Sequence, residues 1–332
     1  MSVSFGWSES SEADGNYKDQ WDDILDHLAA EVNPTGIDLT VGRADWSLVP
    51  HPGEAKDDLV RHASSTVGRD RFGPVMQKAK ARGMNQHRLT IDTMSTETLK
   101  TYQEERSVSA DGTVRDSLPS AYGLTEGHTG DLIEDHVKAV VRSWPDINAI
   151  VLTELHWDDG SFSDLDLELF KYDTGMGDWP RDDRGRPDIA NPDILDWLTT
   201  RMQMFVERLR IAAGNVPLIA DVRVNWDDPT AGRPESGQDY EKLLQVADAL
   251  QGWTFYNPGD GSDAVLWANE VEAKWPGRVS SSVMVRDNTD LEELNATIGV
   301  LRDYDSGTQF FPYQKYADVV AAGIAPEPEP AV

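Results

Sequence analysis

The sequence predicts an α/β chain folded as a single (β/α)8 (TIM) barrel with long loops on the C-terminal face. Three observations carry this expectation. Eight short β-like runs alternate with helical stretches, which implies a parallel sheet. The dinucleotide fingerprint Gly-x-Gly-x-x-Gly and the Walker phosphate loop are both missing, which weakens an open doubly wound sheet. The length, 332 residues, is enough for one such barrel and its core.

Taken in order, the first run is Val3 to Trp7. An amphipathic helix around Tyr17 to Val32 follows, with Trp21, Ile24, Leu25 and Leu28 on one face. The next runs are Ile37 to Arg43, His87 to Asp92, Ala149 to Leu155 and Pro217 to Arg223. Trp253 to Asn257, Arg278 to Arg286 and Thr308 to Tyr313 complete the set. Helical patterns lie near 70–83, 129–143, 191–213, 238–251, 262–275 and 289–304. Asn191-Pro192 opens one helix, Gly214 closes it, and Gly252 follows another. The barrel is expected to occupy residues 1–323, with 324–332 a Pro/Glu-rich extended tail. Two connections, Thr93 to Thr129 and Asp158 to Asn191, are longer than a barrel needs. Both follow strands, so both belong on the face where such barrels keep their active sites.

Charge narrows the context. Fifty-nine Asp and Glu against thirty Lys and Arg leave a formal charge of −29, and only ten of the thirty basic residues are lysine. Self-repulsion of that size destabilises a folded chain in dilute buffer, whereas about 1 M salt cuts the screening length to roughly 3 Å. A hydrophobic share of 39% and eleven tryptophans argue against disorder, so the acid reads as the surface of a halophilic protein. Nucleic acid is excluded as a general electrostatic partner. No apolar run is long enough for membrane insertion, and covalent thiol chemistry is excluded by the lack of cysteine. The start, Met1 to Phe5, has no basic region leading into an apolar core, so no secretion signal is expected and synthesis in the cytoplasm is.

In a parallel barrel the strand ends ring one mouth. Here they supply Trp7, Glu9, Arg43, Asp45, Asp92, Glu154, His156, Asp221, Arg223, Asn225, Tyr256, Asn257, Arg286, Tyr313 and Gln314. Glu154 is the leading catalytic candidate, because a largely apolar run delivers it to the end of the fourth strand. Period-two geometry places Leu152, Glu154 and His156 on one side, and Asp221, Arg223 and Asn225 on one side of the fifth strand. Carboxylates on neighbouring strands, with an arginine to hold one ionised, divide acid and base roles. Glu154 is thus expected as general acid and Asp221 as nucleophile or base. A structural ion pair is the competing reading of both, with Arg223 or Arg43 as the partner for Glu154. Arg43, Asp92, His156, Trp157, Arg223, Trp226, Tyr256 and Arg286 are the expected substrate-binding set. Trp157, Trp226 and Tyr256 are stacking platforms for a sugar ring, and the arginines hold anionic groups. Glu154-x-His156-x-Asp158 permits a metal, but no metal and no cofactor is expected.

Leu124-Thr-Glu-Gly127 before a helix, then Asp146-Ile-Asn-Ala-Ile-Val-Leu-Thr-Glu154, resembles the central part of glycoside-hydrolase-like (β/α)8 proteins. So does Leu165 to Tyr172 followed by Thr174-Gly175 and Asp178-Trp-Pro-Arg181. Similar barrels occur among minor tail proteins of tailed viruses. The resemblance spans roughly 37–260 and is strongest over 120–226. It implies carbohydrate as the partner, with Glu154 in the cleft. It also implies either a glycoside hydrolase acting on a surface glycan of a halophilic microbe, or a catalytically inactive virion component that meets other assembly proteins. Many retaining barrel glycosidases carry a second glutamate on the seventh strand, but Ser280-Ser-Ser-Val-Met-Val-Arg286 ends in arginine.

Overall fold

The structure is a computed structural model that describes residues 2–5, 21–45, 47, 49, 72–254, 261–284, 301 and 308–311. Its framework is a parallel sheet. In chain order the first elements are β1 (Ser2–Phe5), α1 (Trp21–His27, continued by a π turn Leu28–Val32), β2 (Gly36–Gly42), α2 (Phe72–Lys80) and β3 (Gln86–Asp92). The first long connection then holds α3 (Thr96–Thr101), the hairpin β4 (Arg106–Val108) and β5 (Val114–Pro119), and α4 (Ala121–Thr125). Next come α5 (His128–Ser143), β6 (Ala149–Thr153), α6 (Asp164–Thr174), α7 (Pro192–Ala213) and β7 (Leu218–Arg223). The last are the small hairpin β8 (Gly232–Arg233) and β9 (Gln238–Asp239), α8 (Tyr240–Val246), β10 (Ala249–Trp253), α9 (Gly261–Lys274), β11 (Val279–Met284) and β12 (Thr308–Phe311).

The sheet curls through β2, β3, β6, β7, β10 and β11, and pairing of β12 with β11 and of β1 with both β12 and β2 closes the ring. Alternation decides what each strand buries. Ile37, Leu39, Leu89, Ile91, Ile150, Leu152, Leu218 and Ala220 face outward into the core shared with the helices. The intervening positions face the ring interior, where Ala149, Val151, Ile219 and Ala249 make a small separate apolar cluster. Beside it lies a buried ion pair: Arg88 grips Asp38 through Nε (3.0 Å) and Nη2 (2.6 Å). Its Nη1 reaches across to Ser280 Oγ at 2.8 Å.

The helices follow their sequence signals. Asn191 caps α7 by accepting from Asp193 N, Pro192 occupies the first turn, and Ile194, Trp197, Leu198, Met202, Phe205 and Leu209 repeat at helical spacing on the buried face. Ser163 and Asp166 form a reciprocal capping box on α6.

Three boundaries differ from the sequence expectation. The fourth barrel strand ends at Thr153, two residues before Leu155, because Glu154 turns into the left-handed region with φ of 57°. The helix expected over 238–251 covers only Tyr240–Val246. Asp239 caps its start, and Asp248 then accepts from Leu218 N and donates its own amide to Leu218 O, which draws the chain into β10. The sixth barrel strand is therefore Ala249–Trp253, earlier than the run expected from Trp253 to Asn257. Gly252 is a strand residue, not a helix stop; a Cβ there would lie 2.6 Å from the Trp267 ring. The two long connections are structured and pack together, with Phe162 N donating to Val108 O and Ser107 Oγ to Gly160 O. Helix 289–304 (apart from Leu301), the tail 324–332, and Trp7, Glu9, Tyr256, Asn257, Arg286, Tyr313 and Gln314 lie outside the described residues.

Candidate active site

The carboxyl ends of β3, β6 and β7 stand side by side. Asp92 pairs with Thr153 in the register of β3 and β6, and Thr153 Oγ1 donates to Asp221 Oδ2 at 2.8 Å. One threonine thus stands between two buried aspartates. Asp92 Oδ2 accepts from Arg43 Nε at 2.7 Å and Nη2 at 2.6 Å, and its Oδ1 accepts from Met94 N. Asp221 has no such salt link, and its Oδ1 is buried without a hydrogen-bond partner. Burial pushes the Asp92 carboxyl up to about 7, against the pull of Arg43 and with help from the charge of Glu154. Burial likewise pushes Asp221 up to about 7, opposed by the Thr153 hydrogen bond and assisted by Glu154.

Above them sits a tight turn, Glu154 to Asp158. Both its ends are left-handed, Glu154 at φ 57° and Asp158 at φ 51°, a conformation costly for residues with a Cβ. The turn is held from two sides. Thr93 Oγ1 donates to Glu154 O at 2.7 Å, and Gln238 Nε2 donates to Leu155 O at 2.7 Å. Trp157 N donates to Ser236 O, and Ser236 Oγ to Asp158 O. The same Gln238 accepts from Arg223 N at 2.8 Å, so one buried amide ties the turn to the end of β7.

The turn presents Glu154 and His156 together. Glu154 Oε2 lies 2.9 Å from His156 Nε2 and 3.5 Å from Arg223 Nη2. Arg223 stacks flat on Trp253, its guanidinium carbon 3.5 Å from the ring centre. Burial disfavours a charged His156, yet the Asp158 and Glu154 carboxylates outweigh it and raise its pKa. Asp158 is correspondingly lowered by its hydrogen bond with His156. Glu154 is 20% exposed at its side chain and Arg43 and Arg223 about equally so, which makes these three the solvent-facing layer. Asp45, beyond β2, joins from the side: it is buried, accepts from Glu97 N, and is raised by burial. Among the described residues no three acidic or histidine side chains converge to hold a metal.

Arg43, Asp92, Glu154, His156, Asp221 and Arg223 are therefore brought together as the strand ends suggested. Two expectations need correction. Trp157 is fully buried, its ring packed where a Cβ on Gly237 would meet it at 2.5 Å, so it offers no stacking face to a sugar. Leu152 and Glu154 do not share a face, because Leu152 packs outward and the left-handed turn redirects Glu154. Trp226 is half-buried against the core. Nothing in the sequence pattern points to Gln238, which acts from a two-residue strand far along the chain.

No family model and no curated protein matches the sequence. Solved structures do match in fold. The chain is similar to the PgaB (BpsB) glycoside hydrolase domain from Bordetella bronchiseptica at TM-score 0.67 and 12% identity, over 99% of both chains. It is similar to a chitinase from Chromobacterium violaceum at TM-score 0.54 and 9% identity, over 98% of this chain and 97% of that one. A β-galactosidase from the psychrophilic Marinomonas ef1 matches at TM-score 0.60 and 12% identity, over 94% of this chain and 54% of that one, so the chain spans about half of that enzyme. The class defined by these likenesses is an α/β fold with a curled parallel sheet of the kind found in glycoside hydrolases. At such identities they establish the fold alone.

Proposed function

We infer that the chain is a glycoside hydrolase built on a complete (β/α)8 barrel, acting on a polysaccharide or surface glycan. One observation carries this: three carboxylates converge at neighbouring strand ends, two of them raised to about 7, and the third beside an arginine and a histidine. Environments that push carboxyl groups apart in proton affinity divide acid from base. The division runs opposite to the sequence expectation. Asp221, buried and without a cation in hydrogen-bond contact, holds a proton near neutral pH and is the better general acid. Glu154, partly open to solvent and flanked by His156 and Arg223, is the better nucleophile or base. Arg43 keeps Asp92 in place, and the layer of Arg43, Arg223 and Glu154 contacts the sugar. The acidic composition supports a high-salt setting.

The burial of Asp92 and Asp221 favours a second reading, a silent barrel that binds glycan or serves in a virion. One experiment separates the two. Halophile surface glycans and nitrophenyl glycosides are incubated with the wild type, Glu154→Gln and Asp221→Asn, and products are followed by mass spectrometry. As a hydrolase, the wild type releases fragments and Glu154→Gln loses turnover on every substrate, by at least about 10²-fold. Asp221→Asn loses it on natural glycans but keeps much of it where the leaving group needs no proton. Retention of glycan without fragments by all three proteins would establish the silent barrel.

A further inference from the structure

Each ring nitrogen of His156 faces one hydrogen-bond donor and one acceptor. Nε2 lies 2.7 Å from Arg223 Nη2, which only donates, and 2.9 Å from Glu154 Oε2, which accepts when ionised. Nδ1 lies 3.0 Å from Asp158 Oδ1, an acceptor, and 3.2 Å from Asp158 N, a donor. No single protonation state satisfies all four. With the proton on Nδ1 alone, the ring donates to Asp158 and accepts from Arg223, using the shorter contact at each nitrogen. With both nitrogens protonated, the ring donates to Asp158 and Glu154, and two N–H groups collide at Arg223.

We propose that His156 is a proton-operated switch that trades Arg223 for Glu154. When neutral it carries its proton on Nδ1 and holds Arg223 through Nε2; when protonated it donates to Glu154 and releases the guanidinium from that contact. The charged neighbours are few. Glu154 and Asp158 face the ring from its own turn, and Arg223 and Asp221 from β7, with the uncharged Trp253 ring 6.4 Å away on β10. From β3, Asp92 faces Glu154. The two carboxylates in contact favour the protonated ring and Arg223 opposes it, so the switch has stable states on both sides of its midpoint.

The ring states are a property of the folded protein. Their catalytic consequence, that the orientation of Glu154 follows the proton on His156, rests on the reading of Glu154 as the reacting carboxylate. The test is therefore spectroscopic. Ring-nitrogen shifts of the seven histidines are followed from about pH 5 to pH 9 in isotope-labelled protein, with His156 assigned by loss of its signal in His156→Gln. The neutral ring is expected as the Nδ1–H tautomer, which is the minor form in free histidine. Arg223→Met is expected to raise the midpoint by about one unit or more and to shift the neutral ring toward Nε2–H. A neutral ring that is Nε2–H in the wild type, or a midpoint unmoved by Arg223→Met, would overturn the switch. Should Arg223→Met not fold, the wild-type tautomer decides alone. Absence of glycosidase turnover would sink the functional reading and leave this measurement intact.

Discussion

At the residue scale the site is an exercise in keeping acids buried. Asp92 and Asp221 ionise near 3.8 in the unfolded chain and at about 7 when folded. A raised carboxyl pKa means that the native state binds more protons between those values. The stability that these two groups contribute is therefore fully present in acid and falls as pH rises from about 4 to 7, by at most roughly 4 kcal/mol per group, less for two that interact. Asp221→Asn removes this cost without stranding a cation. Its melting temperature should exceed that of the wild type at pH 8 and match it near pH 4; equal shifts at both would show that Asp221 is not a buried acid. Asp92→Asn leaves Arg43 without its carboxylate and should destabilise at pH 8, where Asp92 is ionised, and much less near pH 4. These residues also show what a sequence discloses. The acid at a strand end is visible because the apolar run stops at Glu154, and Asp221 and Arg223 share a face because alternation along β7 is regular. The positive φ at Glu154 is invisible, since glutamate gives no hint of a left-handed turn. Trp157 reads as a platform only because adjacency to acids suggests one; its ring is filling the core.

At the element scale the hairpin β8–β9 matters beyond its size. Gly237 holds φ 84° and leaves room for the Trp157 ring, so a methyl group there is strained twice. Gly237→Ala should cost about 2–3 kcal/mol in denaturant unfolding, and a loss below about 0.5 kcal/mol would show the contact to be slack. Ser163→Ala removes half of the α6 capping box and should cost about 1 kcal/mol, with no effect on the turn from Glu154 to Asp158. Helices with strong caps were legible to within a few residues, as α7 shows. The stretch from Leu243 to Leu250 was not, because its apolar spacing suits a helix equally well. Only the pairing of Asp248 with Leu218, a contact between distant segments, ends α8 at Val246 and starts β10 at Ala249.

At the scale of the molecule, charge and closure dominate. A formal charge of −29 repels itself in dilute buffer. The melting temperature should climb steadily between about 0.1 M and 2 M KCl and then flatten once the screening length is a few ångström. A flat response would argue against a high-salt origin. Closure has a kinetic side. Asp38 and Arg88 stand on adjacent strands, but Ser280 stands across the ring on β11, and the hydrogen bond between Arg88 and Ser280 joins positions 192 residues apart. A contact with so long a loop to close belongs late in folding, after the last strands have docked. Ser280→Ala should leave the refolding rate nearly unchanged and speed unfolding roughly fivefold or more, as for a bond absent from the transition state. The strut across the ring is then a latch: it contributes little to how fast the barrel is assembled and much to how long it stays shut.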